Sequence, residues 1–334
     1  MSIDTAPSRQ QAPGSQPSGL GSDRVRRQIA RIMPFAILGV LLVLFSQRNP
    51  DLLSVSSMLT IVDNAAPLMV MALGVTAVIL LGGIDLSIGA LASFASVLTA
   101  LWAPGLSGWV AVPVVVVCAL AGLLQGWVHV AARVPSFIVT LGGLSLWSGL
   151  ALSVSGARTV PLTDLQALNW AFTRIPGGIP SAILIALGVF ALIGGVMRFT
   201  PYGRWTSAIG HAEPAARLAG LPINGLKMAA FAISGGCAGL AGVLLVARTY
   251  SGAPTLGNSL LLPAIAAVVV GGTAITGGHG GLGKTVIGAL VIVLLRVGLA
   301  LIGIDAGFEP IFYGLLIIVA VSVTIDRSKV AIMK

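Results

Sequence analysis

Residues Tyr202 to Gly225 read YGRWTSAIGHAEPAARLAGLPING, a polar island in a chain otherwise apolar enough to sit in lipid. The island carries the signals of a short helix. Pro214 sits where a first helical residue tolerates losing its N–H, and Glu213 puts negative charge at that N-terminus. Gly220 suits the left-handed position after the last turn. A surface helix this short has little to bury by itself, so it is expected to dock on another molecule.

Around the island, 56% of the 334 residues are hydrophobic and only 9% are charged, and the mean hydropathy is +1.01. Soluble domains carry about a quarter charged residues. The composition therefore predicts an all-α polytopic membrane protein. Windows of about 19 residues place some ten spans near 32–47, 57–81, 86–103, 109–131, 135–155, 179–199, 226–248, 258–276, 284–303 and 308–325. The first apolar stretch has no small-residue cleavage site and reads as a span, not a removed signal peptide. Residues 1–28, rich in Ser, Pro, Gly and Gln, read as a disordered cytoplasmic tail. Residues 29–327 read as the transmembrane domain, with the polar loop at 200–225, and 328–334 as a second cytoplasmic tail.

The net charge of +9 is accounted for by basic loops on one membrane face, with no nucleic acid implied. With the N-terminus in the cytoplasm, fourteen Lys and Arg residues fall inside and four (Arg48, Arg158, Arg174, Arg248) outside, as the positive-inside rule requires. Both termini and the polar island are then cytoplasmic. Cys118 and Cys237 lie within spans, so neither a disulfide nor a metal site is expected. His129, His211 and His279 show no metal-ligand spacing. No loop is large enough for a nucleotide-binding or catalytic domain, so the energy source is a gradient or another polypeptide.

Gly278 to Thr285, GHGGLGKT, matches the phosphate-binding pattern G-x-x-x-x-G-K-T. That chemistry needs a strand before the loop and a soluble α/β domain around it. Here the segment lies between two spans, and it reads as a Gly-rich cytoplasmic turn. Two other glycine pairs interrupt apolar runs: Gly82-Gly83 before Asp85 and Ser87, and Gly271-Gly272 before Thr273. Gly288-Ala289-Leu290 echoes Gly89-Ala90-Leu91. Interrupted helices in two halves point to a transport path. Asp85 is a candidate because an ionisable group at membrane depth is functional by default, and Asp85 or Ser87 is expected to cap the helix that follows. Asp63, Asn64 and Gln125 are further candidates for the path or its gate. Arg296, also within a span, is a possible partner for an acid.

Three segments resemble the permease subunits of bacterial ABC importers for monosaccharides of the ribose, xylose and arabinose type, which share a superfamily with branched-chain amino-acid permeases. They are GGIDLSIGALASF (Gly82–Phe94), VPSFIVTLGGLSLWSGLALSVSGART (Val134–Thr159), and the run from YGRWTSAIGHAEPAARLAGLPI through LPAIAAVVVGGTAITGGHGGLGKTVIGAL. The likeness extends over nearly all of residues 30–327. It implies a permease in the bacterial inner membrane, paired with a second permease subunit. Separate ATPase subunits would carry ATP-Mg, leaving this chain without a cofactor. A periplasmic or lipid-anchored sugar-binding protein would deliver the cargo. It makes the helix around Glu213–Ala219 the coupling helix that sits on the ATPase. Gly210 and Gly220 would bound it, Glu213 and Arg217 would make polar contacts, and Leu218 and Leu221 would form its apolar face. The chain departs from the family's GGN before that helix, having Gly210-His211-Ala212. Rival readings are the same importer class carrying an amino acid or autoinducer, and an ion-coupled transporter using Asp63, Asp85 and Arg296 as a relay.

Overall fold

The computed structural model describes residues 20–324, with side chains from Ile32 to Ser322. Residues 1–19 of the first tail reading, the whole 328–334 tail and residues 325–327 lie outside the described residues. The helices are α1 (Leu20–Ser46), α2 (Val55–Leu80), α3 (Ile88–Leu106), α4 (Ala111–Ala131), α5 (Ser136–Ser155), the single turn α6 (Asn169–Phe172), α7 (Ser181–Phe199), α8 (Pro201–His211), α9 (Glu213–Leu218), α10 (Ile223–Thr249), α11 (Leu261–Val270), α12 (Leu282–Leu301) and α13 (Glu309–Thr324). α1 thus begins inside the stretch read as a tail.

Seven of these helices, α2, α3, α4, α5, α7, α10 and α12, are long and apolar enough to cross a membrane. Ile32–Ser46, Asn258–Val270 and Ala306–Ser322 are shorter apolar helices. The stretch read as one span at 258–276 is not a single long helix. A 3-10 turn at Asn258–Leu260 leads into α11, which stops at Val270. The polar island also differs from expectation, holding two helices where one was read. Thr200 caps α8 by accepting from the Tyr202 N–H at 3.2 Å, with Pro201 at the first position.

The bundle has a centre and a periphery. The apolar windows of α2 and α3 are 83% and 78% buried, whereas that of α7 is 17% buried. Leu184, Leu187 and Leu192 of α7 are exposed, which suits a face toward lipid. In lipid, helix association rests on close packing and hydrogen bonds, not on apolar transfer. α10 packs most extensively on α4, where glycines bring the two backbones together. A Cβ added at Gly122 would strike the Phe231 carbonyl, and one at Gly235 would strike the Cys118 carbonyl.

At the end of the bundle away from α8 and α9, β1 (Val160–Pro161) pairs antiparallel with β2 (Ser251–Gly252). The 160s loop is thereby pinned, and Leu168 is fully buried. From β2 the chain runs along α3 without being helical. The Ser96 hydroxyl donates to the Ala253 carbonyl at 3.1 Å, and the Gly257 N–H donates to the Ser93 hydroxyl at 2.9 Å. Non-helical backbone beside buried helices survives because such partners satisfy it.

Gly235→Ala is expected to lower the melting temperature in detergent, at a cost of about 1–3 kcal/mol for an overpacked contact. Gly236→Ala is the control, because its Cβ would meet the Ala119 Cβ at an ordinary 3.6 Å. A thermal-shift measurement on both variants checks this.

Candidate functional site at the junction of two interrupted helices

The two glycine pairs end their helices in the same way. After α2, the Gly82 N–H bonds to the Ile79 carbonyl at 2.8 Å and the Gly83 N–H to Val78 at 3.1 Å. After α11, the Gly272 N–H bonds to Val269 at 2.9 Å and the Thr273 N–H to Val268 at 3.1 Å. Gly82 and Gly272 hold φ of 77° and 88°, left-handed values that glycine adopts without the Cβ penalty. The two interruptions meet. The Gly278 N–H donates to the Leu80 carbonyl at 2.9 Å, and a Cβ at Gly277 would lie 2.7 Å from the Gly82 nitrogen. α8 closes over this junction. A Cβ at Gly210 would run into the Leu80 carbonyl and the Gly278 backbone, and the Ser207 hydroxyl donates to the Gly278 carbonyl at 3.0 Å.

Deeper in the bundle lies Asp85, only 4% exposed. One carboxylate oxygen accepts from the Ser87 N–H at 2.9 Å and the Ser87 hydroxyl at 2.6 Å, and the other accepts from the Ser234 hydroxyl at 2.7 Å. The Gln125 amide donates to the Ser87 hydroxyl at 2.8 Å, and the Trp147 indole N–H donates to the Gln125 carbonyl oxygen at 3.0 Å. The network ties the 81–87 segment to α4, α5 and α10. Asp85 therefore receives the N–H of the residue preceding α3 rather than capping its first turn, and Ser87 makes no side-chain cap. Asp85 and Gln125 were legible as candidates; Ser234 and Trp147 were not, because their partners are distant in sequence.

At the α8–α9 end, Glu213 forms ion pairs with Arg217 at 2.9 Å and with Lys227 of α10 at 2.8 Å. Partial burial raises the Glu213 carboxyl, but the hydrogen bonds and charges of Lys227 and Arg217 outweigh it and hold the group below the ordinary carboxylate value. A depressed carboxyl contributes its tether at neutral pH and loses it as pH falls through the lowered value. Gly220 is left-handed at φ 75°, as its place after α9 requires. Leu218 is 91% exposed, whereas Leu221 packs inward on the cluster around Phe231. Glu213 and Lys227 also line a cavity of about 270 Å³ with Gly82, Gly83, His129 and Ser136. Beside it, Arg133, Arg217 and Asn224 border an open recess of about 630 Å³.

The GHGGLGKT segment has the geometry of a helix-to-helix turn. It follows α11 rather than a strand, and Thr285 is fully buried, its hydroxyl 2.7 Å from that of Thr76 on α2. A phosphate-binding loop keeps that hydroxyl for Mg²⁺. Thr273 is buried, with its hydroxyl 3.4 Å from the Gly281 N–H, and Gly271 abuts the Lys284 carbonyl.

The remaining candidates lie apart from this site. The Asp63 carbonyl accepts from Arg248 at 2.9 Å, and neighbouring Asn64 is exposed. Arg296 pairs with Glu309 at 3.2 Å, and Glu309 also accepts from the Tyr313 hydroxyl at 2.8 Å. Among the described residues, no hydrogen bond or ion pair joins Asp63, Asp85 and Arg296 into one relay.

Apolar helices around interrupted, polar-bonded segments, with a capped helix pair over their junction, make the build of a membrane permease. The chain belongs to the family described as branched-chain amino acid transport system, permease component, whose model matches residues 57–321. It is 37% identical to the ribose import permease protein RbsC of Haemophilus influenzae, over 86% of this chain and 90% of that protein. It is 35% identical to the probable ABC transporter permease protein YphD of Escherichia coli, over 89% and 90%. It is 30% identical to the D-allose transport system permease protein AlsC of Escherichia coli, over 88% and 90%. No solved structure matches the chain.

Ser234→Ala leaves one oxygen of a buried carboxylate without its donor. The expected loss is about 1–3 kcal/mol, read as a lower melting temperature, with Asp85→Ala losing more. An unchanged melting temperature in both variants would show that the network is not structural.

Proposed function

We propose that this chain is the membrane-spanning permease of an ATP-driven importer that carries a monosaccharide across the bacterial inner membrane. The chain itself carries no ATP chemistry in this reading. Separate ATPase subunits hydrolyse ATP-Mg, a solute-binding protein delivers the sugar, and a second permease, identical or closely related, completes the path. The full-length likeness to permeases named for ribose and D-allose supports the cargo class.

The observation that carries the coupling role is the condition of α9. Its polar groups are already committed within the chain, since Glu213 is paired twice, yet Leu218 stands 91% exposed. A helix that is capped, tethered and topped by a bare leucine suits a groove on a partner. The recess flanked by Arg133 and Arg217 gives that partner a basic rim to meet. With α8 and α9 in the cytoplasm, a placement the distribution of Lys and Arg supports, the partner is the ATPase. Nucleotide-driven closure then pulls on α8 and α9 and biases a two-state change at the junction beneath them. Asp85, Gln125 and the Gly82-Gly83 and Gly271-Gly272-Thr273 turns are the proposed moving parts. Asp63 and Asn64 belong to the opposite mouth.

The family description names branched-chain amino acids, which makes an amino acid the second cargo to assay. The test is uptake into proteoliposomes containing the permease and its ATPase, with binding protein on the far side. Uptake of a pentose or hexose that requires ATP is the expected result; uptake driven by an ion gradient without the ATPase would overturn the reading.

Leu218→Asp is expected to abolish retention of the ATPase in a pull-down while leaving the melting temperature of the permease unchanged, because the side chain is almost wholly exposed. Undiminished retention would remove α9 from the coupling role.

A further inference from the structure

His211 ends α8 and His279 lies in the loop between α11 and α12, yet their Nε2 atoms are 3.2 Å apart. The ring centroids are separated by 4.1 Å, and the planes are tilted by 55°. The backbone holds them there. The hydrogen bonds of Gly278 to Leu80 and of Ser207 to Gly278 fix the loop against α8, and a Cβ at Gly278 would collide with the His211 ring.

The Nδ1 of His211 lies 2.7 Å from the Ser207 carbonyl. A carbonyl only accepts, so Nδ1 carries the proton of the neutral ring and Nε2 presents a lone pair. Metal-bound histidines have this arrangement, with the second ring nitrogen donating to a carbonyl. Metal–nitrogen bonds of about 2.0–2.1 Å at a tetrahedral angle separate two imidazole nitrogens by about 3.3 Å. The observed Nε2 separation matches that bite, but the ring centroids at 4.1 Å are closer than the roughly 5 Å of two imidazoles aimed at one ion at such bond lengths. Binding therefore requires the rings to turn apart as the ion replaces the Nε2–Nε2 hydrogen bond, in which His279 is the donor.

We propose that His211 and His279 form a two-imidazole site for a divalent transition metal of the zinc, nickel and copper class. Among the described residues no group of three His, Cys, Asp or Glu is placed to hold a metal ion, so water completes the coordination. Imidazole ligands exclude the hard cations Mg²⁺ and Ca²⁺, which take oxygen. The bound ion joins α8 to the loop that packs on the end of α2. It is therefore a brake on any movement of α8 relative to that loop. The brake rests on the coupling role proposed above; the site itself does not.

The test uses the full chain in detergent titrated with Cu²⁺. One ion per chain is expected, with an electron paramagnetic resonance spectrum showing two imidazole nitrogens. Loss of outer partners of metal ligands costs about 10–100-fold in affinity, and loss of a ligand costs at least as much. His211→Asn and His279→Asn should each weaken binding by about tenfold or more, at an unchanged melting temperature because both side chains are exposed. His129→Asn should have no effect. Binding that survives His279→Asn, or a spectrum without two nitrogens, would overturn the site. In the assembled importer, Zn²⁺ should slow ATP-driven uptake in the wild type and not in His279→Asn. Intact Cu²⁺ binding without that slowing would reject the brake and the coupling role of α8 while leaving the site standing.

Discussion

The constraint on which the rest of this structure depends is the burial of the Asp85 carboxylate among helices. A charge taken out of water is tolerated only when donors surround it. Here three donations reach it, from the Ser87 backbone, the Ser87 hydroxyl and the Ser234 hydroxyl. Those donors can converge only if the segment before α3 is not helical and if α10 approaches from the side. The Gly82-Gly83 stop supplies the first condition. The glycine contact between α4 and α10 supplies the second. Gly143 on α5 is part of the same arrangement, since a Cβ there would run into the Gln125 amide. The glycines and the polar network therefore form a single device. The former set distances between backbones, and the latter uses those distances to satisfy non-helical chain inside the bundle.

Much of this was legible in the sequence because it is local. Hydropathy located the long helices, and Pro214 and Gly220 bounded α9. Gly-Gly pairs announced both interruptions because left-handed φ selects glycine within a few residues of a helix end. What the sequence concealed is long-range. Ser234 sits in a Gly-rich stretch of α10 and carries no sign that it serves an aspartate 149 residues away. Trp147 looked like one more apolar residue of a span. α8 lies in the stretch read as a polar loop; its Gly210 is required by the closeness of Leu80 and Gly278. Arg296, read as a possible partner for an acid in another span, pairs with Glu309 at the start of the next helix. His211 and His279 fit no spacing rule because the fold, and not the spacing, brings them together.

The same distinction between local pattern and context decides the GHGGLGKT segment. A phosphate loop and this turn share a physical need, which is several glycines letting backbone approach something closely. In a nucleotide site the approach is to phosphate. Here it is to other backbone at Gly278, which meets Leu80 and α8, and at glycines preceding the segment, Gly277 against Gly82 and Gly271 against α12; Gly281 and Gly283 approach nothing closely. The threonine that would serve a metal is spent on Thr76.

In the proposed importer, that packing would let a short helix pair act on a large bundle. α9 is fixed to α10 through Glu213 and Lys227, and α10 carries Ser234, a direct partner of Asp85. α8 is fixed through Ser207 and Gly210 to the loop that joins α11 to α12, and that loop is hydrogen-bonded to the end of α2. A displacement of the pair therefore reaches both interrupted segments at once, one through the buried carboxylate and the other through backbone contacts at glycine. Closely packed groups of this kind shift between discrete arrangements rather than deform gradually. In that proposal, a partner gripping only Leu218 and its surroundings would act on the two places where the helices are already broken.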